Sequence, residues 1–304
     1  MKSPEVNIVT GAFGYTGNYI AKKLLSMGEK VKTLISHPNH IDPFCGQVEA
    51  VPFNFDNPAA LIEDLRGVKT LYNTYWIRFS RGNLTFDNAI QNTRTLVKCA
   101  REAGVQRIVH ISVTNPSLES PLPYYKGKAI TENVIIESGL PYTIIRPTLI
   151  FELGDILINN IAWLFRRFPV FAIPGNGKYQ LQPISAEDVA DIAINSSIIG
   201  EDIVDAAGPD IFTFDEMVRL IAKAVNSKTR IIHANPTFAL TISSLIGYIV
   251  HDVILTKDEL DGLAANLLVS EQPPLGKIRL SGWLQKNSDS IGLRYASELH
   301  RHYR

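Results

Sequence analysis

Short, mostly apolar runs alternate with longer amphipathic stretches through the first half of the chain. The runs are Val6 to Thr10, Val31 to Ile35, Val48 to Phe53, Thr70 to Tyr72, Arg107 to Ser112 and Tyr142 to Arg146. Their apolar character is close to continuous rather than alternating, which predicts parallel strands covered on both faces. Between them the periodicity predicts helices over Gly17 to Met27, Pro58 to Leu65, Leu84 to Ala103 and Tyr124 to Ser138. Gly28, Gly67, Gly104 and Gly139 follow these stretches and supply the left-handed residue on which helices commonly end. Asn57 before Pro58 is a cap followed by a first-turn proline. Strand and helix in this order predict the α/β class, a doubly wound parallel sheet.

After Arg146 the pattern changes. Gly154 to Phe168 reads as helix, and Pro174 to Gly177 as a turn. Three S/T-x-x-D/E boxes follow, at Ser185 with Asp188, Thr213 with Glu216 and Thr256 with Glu259, each heading an apolar helical run. Gln272-Pro273-Pro274 reads as a linker before a last helical segment. The expected division is a first domain over 1–153 and a smaller, helix-rich subdomain over 154–304 forming a substrate cap. A segment near 178–208 is expected to return to the first sheet.

With 304 residues and 45% hydrophobic content, the chain can bury a full core. Its 30 basic and 30 acidic residues cancel, so there is no electrostatic footprint for nucleic acid, and a small-molecule partner is expected. Cys45 and Cys99 show no metal-ligand spacing and read as thiols in a reducing compartment; no metal site is expected. The first residues lack the features of a signal peptide, so the expected location is cytoplasmic. Phe238 to Val250 carries no charge but is too short to span a bilayer; it reads as a packed helix, with a membrane-interface helix as the alternative.

The first strand runs into Thr10-Gly11-Ala12-Phe13-Gly14-Tyr15-Thr16-Gly17. Gly11 allows a sharp turn out of the strand. Gly14 lets backbone N–H groups approach a pyrophosphate, and Gly17 lets the helix pack closely on the strand. The N–H groups and the helix dipole favour the anion. This T-G-x-x-G-x-x-G spacing resembles the short-chain dehydrogenase/reductase superfamily. So do the Y-x-x-x-K in Tyr124-Tyr125-Lys126-Gly127-Lys128 and the R-P-x of Arg146-Pro147-Thr148. The entry to the fifth strand, Ala103 to Ser112, is similar to that of the atypical, NmrA-like branch and of the dehydrogenase-like accessory subunit of respiratory complex I. The resemblance covers roughly the first 190 residues and implies a Rossmann-type domain that binds NADP or NAD.

NAD-preferring sites place a carboxylate at the end of the second strand. Here Thr33-Leu34-Ile35-Ser36-His37 has none, and Ser36 and His37 are able to bond a 2′-phosphate, so NADPH is favoured over NADH. The resemblance implies that Phe13, Tyr15 and Thr16 belong to the cofactor loop and that Asn54 and Phe55 flank the adenine. It also implies that Asn73 and Thr74, with Pro147 and Thr148, lie along the dinucleotide.

In the family, Tyr124 would be the proton donor or acceptor beside the hydride-transfer centre, and Lys128 would hold the nicotinamide ribose. A free phenol has a pKa of about 10 and is a poor base at neutrality; a nearby ammonium favours its phenolate. Ser112 and Thr114, at the end of the fifth strand, each qualify to polarise the substrate oxygen. Tyr124 follows Thr114 by only ten positions, with Pro116, Pro121 and Pro123 between them, so an atypical geometry is expected. Tyr125 fits the role of Tyr124 if the register slips. The same residues also fit a reading in which Tyr124 packs and Lys128 binds only ribose.

The activity implied is hydride transfer between NADPH or NADH and a carbonyl or alcohol. Two alternatives remain. One is a nucleotide-sugar epimerase or dehydratase, with Arg166 and Arg167 as candidates for holding the diphosphate; the other is a cofactor-bound sensor or assembly subunit without turnover.

Overall fold

The computed structural model describes residues 5–36, 42–196 and 202–303. Strands β1 (Val6–Thr10), β2 (Lys30–Ile35), β3 (Val48–Pro52), β4 (Thr70–Asn73), β5 (Arg107–Ile111) and β6 (Tyr142–Pro147) alternate with helices. These are α1 (Tyr15–Ser26), α2 (Pro58–Leu65), α3 (Phe86–Glu102) and α4 (Pro123–Ile136). The chain then forms β7 (Leu149–Phe151), α5 (Leu157–Phe165), β8 (Val170–Pro174), β9 (Gln180–Leu181) and β10 (Pro183–Ser185). It returns with α6 (Ala186–Ser196) and β11 (Asp202–Ala206).

Seven parallel strands in the order β11-β6-β5-β4-β1-β2-β3 make the main sheet. The order reverses between β1 and β4, which is where a doubly wound sheet opens a crevice at its carboxyl end. The helices form two groups, with α1 packing on α6 and α3 lying between α2 and α4. Ile8, Leu71 and Ile108 from the sheet meet Leu61, Leu65, Leu96 and Ile135 from α2, α3 and α4 in a core without exposed atoms. Each Gly expected to end a helix (Gly28, Gly67, Gly104, Gly139) has a positive φ.

Two compact units result, one from Met1–Pro147 and Ala186–Ala206, the other from Thr148–Ser185 and Ala207–Arg304. The second unit adds β12 (Phe212–Thr213), α7 (Phe214–Ala224), β13 (Arg230–Ala234), α8 (Pro236–Val250), α9 (Lys257–Ala264), α10 (Leu280–Asn287) and α11 (Glu298–His302). It is less purely helical than its sequence suggests, for β7 with β10, β8 with β13 and β9 with β12 form three two-stranded sheets. Capping boxes close at both Thr213/Glu216 and Thr256/Glu259. Its core gathers Phe151, Ile161, Phe165, Met217, Ile221 and Leu284.

Helix α8 departs from the packed helix expected of it. Only Ala239 and Gly247 are buried, whereas Phe238, Leu245, Tyr248 and Ile249 stand exposed along one stripe. No helix among the described residues is long and apolar enough to cross a membrane.

Candidate functional site

The glycine loop joins β1 to α1. Gly11 takes φ +65°, and the Gly14 N–H closes the turn on its carbonyl at 2.8 Å. Gly17 sits so close to this turn that a Cβ would lie 2.4 Å from the Gly11 carbonyl oxygen. The loop is braced from both neighbouring strands: Ala12 N–H donates to Thr33 Oγ1 at 2.9 Å and Gly11 N–H to the Leu34 carbonyl at 2.9 Å. Thr74 N–H donates to Thr10 Oγ1 at 2.7 Å, and the Thr74 hydroxyl donates to the Thr10 carbonyl.

Helix α1 starts from Gly14 with no side-chain cap and no carboxylate in its first turn, so neither a capping side chain nor an acidic group of that turn stands against an anion at its N-terminus. The cradle and the uncapped, uncharged helix start fit a pyrophosphate. Phe13 packs toward Phe44 with ring centres 6.1 Å apart, and Tyr15 meets Tyr19 edge to face at 6.4 Å. Thr16 lies half-buried in the first turn.

Ser36 follows β2 and is exposed; His37 lies outside the described residues. Asn54 has φ +48° and donates to Asp64 at 3.3 Å. Phe55 stacks on Phe53 at 4.8 Å and meets Tyr75 at 5.3 Å, so packing engages it. Asn73 is fully buried and acts as a brace: its oxygen accepts from Tyr75 N–H at 3.1 Å and from Thr10 Oγ1 at 3.3 Å, and its nitrogen lies 3.1 Å from His110 Nδ1. Since that nitrogen can only donate, His110 Nδ1 accepts and the ring proton sits on Nε2. Pro147 ends β6 beside Ala206, and the buried Thr148 donates its hydroxyl to the Gln182 carbonyl.

The two hydroxyls after β5 separate. Thr114 donates its hydroxyl to the Arg146 carbonyl at 3.2 Å and its N–H to the Pro147 carbonyl at 3.0 Å, which extends the β5–β6 ladder. Ser112 Oγ is buried and has no partner among the described residues. Of the two, only Ser112 leaves its hydroxyl uncommitted among the described residues.

Pro123 opens α4 at a first-turn position, and Tyr124, Gly127 and Lys128 share one face, at i, i+3 and i+4. Lys128 is 3% exposed and donates to the Ile111 carbonyl at 2.8 Å. Burial pulls its ammonium down to about 7, against the pull of Glu132 in the other direction. Glu132 in turn takes Arg146 in a two-pronged pair at 3.0 and 2.5 Å. His110 is held well below its usual range by burial first and by the Lys128 charge second. Tyr125 is buried, with its ring 5.6 Å from that of Tyr124.

The residue that sequence reasoning missed is Trp76, in the loop after β4. Its ring centre lies 4.9 Å from Lys128 Nζ, it stacks on Phe86 at 5.8 Å and meets Tyr124 edge to face at 6.1 Å. Its Nε1 is buried without a partner among the described residues. The available signal was Gly127: a glycine inside a helix costs roughly 1 kcal/mol against alanine, and here a Cβ would lie 2.8 Å from Trp76 Cη2.

Arg166 and Arg167 do not gather for a diphosphate. Arg166 donates to the carbonyls of Ile291 and Ser288, and Arg167 to those of Gly292 and Leu293. Both brace the end of the chain.

The geometry agrees with the comparisons to known proteins. Residues 11–197 match a family model described as NAD(P)H-binding. Over 287 residues the chain is 22% identical to the mitochondrial NADH dehydrogenase (ubiquinone) 1 alpha subcomplex subunit 9 of Arabidopsis thaliana, covering 88% of this chain and 71% of that one. The triphenylmethane reductase of Citrobacter sp. superposes with TM-score 0.74 at 17% identity, covering 94% of this chain and 99% of that one. The same reductase complexed with NADP(H) gives 0.70 at 18%, covering 93% and 99%. A nucleoside-diphosphate-sugar epimerase of Staphylococcus aureus superposes with TM-score 0.68 at 17% identity, covering 97% and 99%. With a matched family model over more than half its length and the Rossmann-type sheet these reductases and epimerases share, the chain belongs to the NAD(P)H-binding family, on the short-chain dehydrogenase/reductase fold.

Proposed function

We propose that the protein is an NADPH-dependent oxidoreductase that transfers hydride to a carbonyl, or from the corresponding alcohol. The observation that carries this reading is the convergence at the end of β5. Buried Lys128 is tied to the Ile111 carbonyl, and the next residue, Ser112, offers an unpartnered buried hydroxyl. Tyr124 stands one turn before Lys128 on the same helix face. The nicotinamide would supply or take up the hydride. Ser112 would donate to the substrate oxygen, Tyr124 would give or take its proton, and Lys128 would hold the ribose and favour the phenolate. The preference for NADPH over NADH rests on the absence of a carboxylate from the end of β2. Free thiols at Cys45 and Cys99 suit a reducing compartment, so the cytoplasm is the proposed location.

Because Arg166 and Arg167 are spent on backbone carbonyls, the epimerase alternative loses the residues that favoured it. A second reading, a cofactor-bound sensor or assembly subunit, draws support from Trp76 standing over the Tyr124/Lys128 face.

At a hundredfold excess over its dissociation constant, NADPH is expected to stabilise the fold by about 2.7 kcal/mol, and NADH by less. Gly14→Val should abolish the melting shift, because its side chain fills the approach to the pyrophosphate. A melting temperature of verified apoprotein that neither nucleotide moves at millimolar concentration would refute the cofactor assignment for this loop. Turnover is sought by following NADPH absorbance against a panel of quinones, aldehydes, ketones and nucleotide sugars. Tight binding without turnover of any member supports the sensor.

A further inference from the structure

We propose that Trp76 is the positioning residue of Lys128: its indole roofs the α4 face that carries Tyr124, Gly127 and Lys128 and clamps the ammonium against the Ile111 carbonyl. The proposal rests on the reading of Lys128 as the ribose-holding lysine. Four contacts support it. The indole face lies 4.9 Å from Nζ, close enough for a cation–π attraction. Phe86 stacks on the ring at 5.8 Å and Tyr124 meets it edge-on at 6.1 Å, which leaves it little room to turn. Finally, Gly127 provides the seat. Its absent Cβ would lie 2.8 and 3.0 Å from Trp76 Cη2 and Cζ2, so no other residue fits there without displacing the ring.

The roof has an electrostatic consequence. By excluding water, Trp76 disfavours the ammonium, while its π face and Glu132 favour it; burial wins, and Lys128 loses its proton at about 7. The other groups around Lys128 are few. From β5 comes His110, neutral and with Nδ1 tied to Asn73. From β6 comes Arg146, which is paired to Glu132 and also feels Asp205 of β11. Helix α3 turns only uncharged side chains inward, among them Ala89, Thr93 and Leu96. In the Trp76 loop, Arg78 lies over the Phe79 ring. Tyr124 completes the set from α4 itself.

The sign follows from the direction of the shift. Lys128 is charged below about 7 and neutral above it. Its hold on ribose hydroxyls should therefore weaken as pH rises from 6.5 to 9, by about tenfold in affinity, the scale of one charge-assisted hydrogen bond. With the roof removed, water reaches the ammonium, its titration moves toward the ordinary lysine range, and the fall in affinity moves to higher pH.

The experiment titrates the Lys128 side-chain methylene resonances of the full chain by NMR, assigned by their loss in Lys128→Met. Wild type, Trp76→Phe, Trp76→Ala and Gly127→Ala are compared, and the affinities for NADPH and NADH are measured over the same pH range. The expected result is a midpoint near 7 in the wild type, raised by at least one pH unit in Trp76→Ala, with a smaller rise in Trp76→Phe. Gly127→Ala keeps the tryptophan but unseats it, and should move the midpoint the same way. Should Trp76→Ala fail to fold, these two milder variants carry the test. A midpoint unchanged in the folded variants overturns the proposal, because loss of packing alone would not preserve it. If the midpoint moves as expected but neither nucleotide binds the wild type, the positioning role of Trp76 stands and the function proposed above falls.

Discussion

Tyr124→Phe is expected to cut turnover by at least a hundredfold while leaving NADPH affinity close to that of the wild type. General acid or base groups typically contribute between a hundredfold and ten-thousandfold, and the hydroxyl is the only atom removed. The ring remains, so its edge-on packing against Trp76 at 6.1 Å and Phe86 at 6.2 Å is kept, and the melting temperature should scarcely move. Lys128→Met should damage turnover and nucleotide affinity together, since the ammonium serves the phenol and the ribose. The comparison requires a substrate from the turnover panel, with kcat and nucleotide dissociation constants measured for each variant. Full activity in Tyr124→Phe would remove this residue from the chemistry and direct attention to its neighbour Tyr125. Sensor function makes a contrasting forecast, in which Tyr124→Phe is silent and Gly14→Val is not.

Gly17→Ala should destabilise the protein by about 3 kcal/mol, at the upper end of what overpacking ordinarily costs. The added Cβ would lie 2.4 Å from the Gly11 oxygen, 2.8 Å from its carbonyl carbon and 3.1 Å from the Ala12 nitrogen. All three are backbone atoms of a turn held by β2 and β4, so relief requires α1 to back away from the loop. Gly28→Ala is the control. Gly28 has φ +81° with nothing within 4 Å of the added carbon, so alanine there meets only conformational strain, of about 1 kcal/mol. Denaturant unfolding of the two variants tests this directly. Equal losses would mean that close approach is not the reason for glycine at position 17.

Local chemistry made the first unit legible. Strand β1 occupies the residues expected of it, and α2 runs from Pro58 to Leu65 as its cap and its following glycine require. The glycine loop was readable because the close approaches that require Gly14 and Gly17 are to Gly11 and Ala12, at most six positions away. The small strands of the second unit were not, since β9 and β12 are two residues long and too short to show any period.

At the end of β5, sequence could not choose between Ser112 and Thr114. The choice depends on the ladder to β6, which consumes one hydroxyl and spares the other. Asn73 illustrates the same limit. Its place at the end of β4 suggested a cofactor contact, and in the structure a histidine on the neighbouring strand and a threonine on β1 engage its amide. The Trp76 roof was hidden for a related reason, because the loop and the helix it covers come together only through the pairing of β4 and β5.

The strand that completes the main sheet also sets a schedule for synthesis. When residue 147 leaves the ribosome, six of the seven strands exist, and β6 presents an apolar, unpaired edge. Its partner β11 arrives only with residues 202–206, after the 38 residues of Thr148–Ser185 that belong to the other unit have emerged. A nascent chain therefore carries an open strand edge, a known template for mispairing, through the translation of a segment in which β8 and β9 find their partners only after Ala207. Slowing translation across 148–201 should prolong this exposure and raise the demand for chaperones, with no change in the stability of the finished protein.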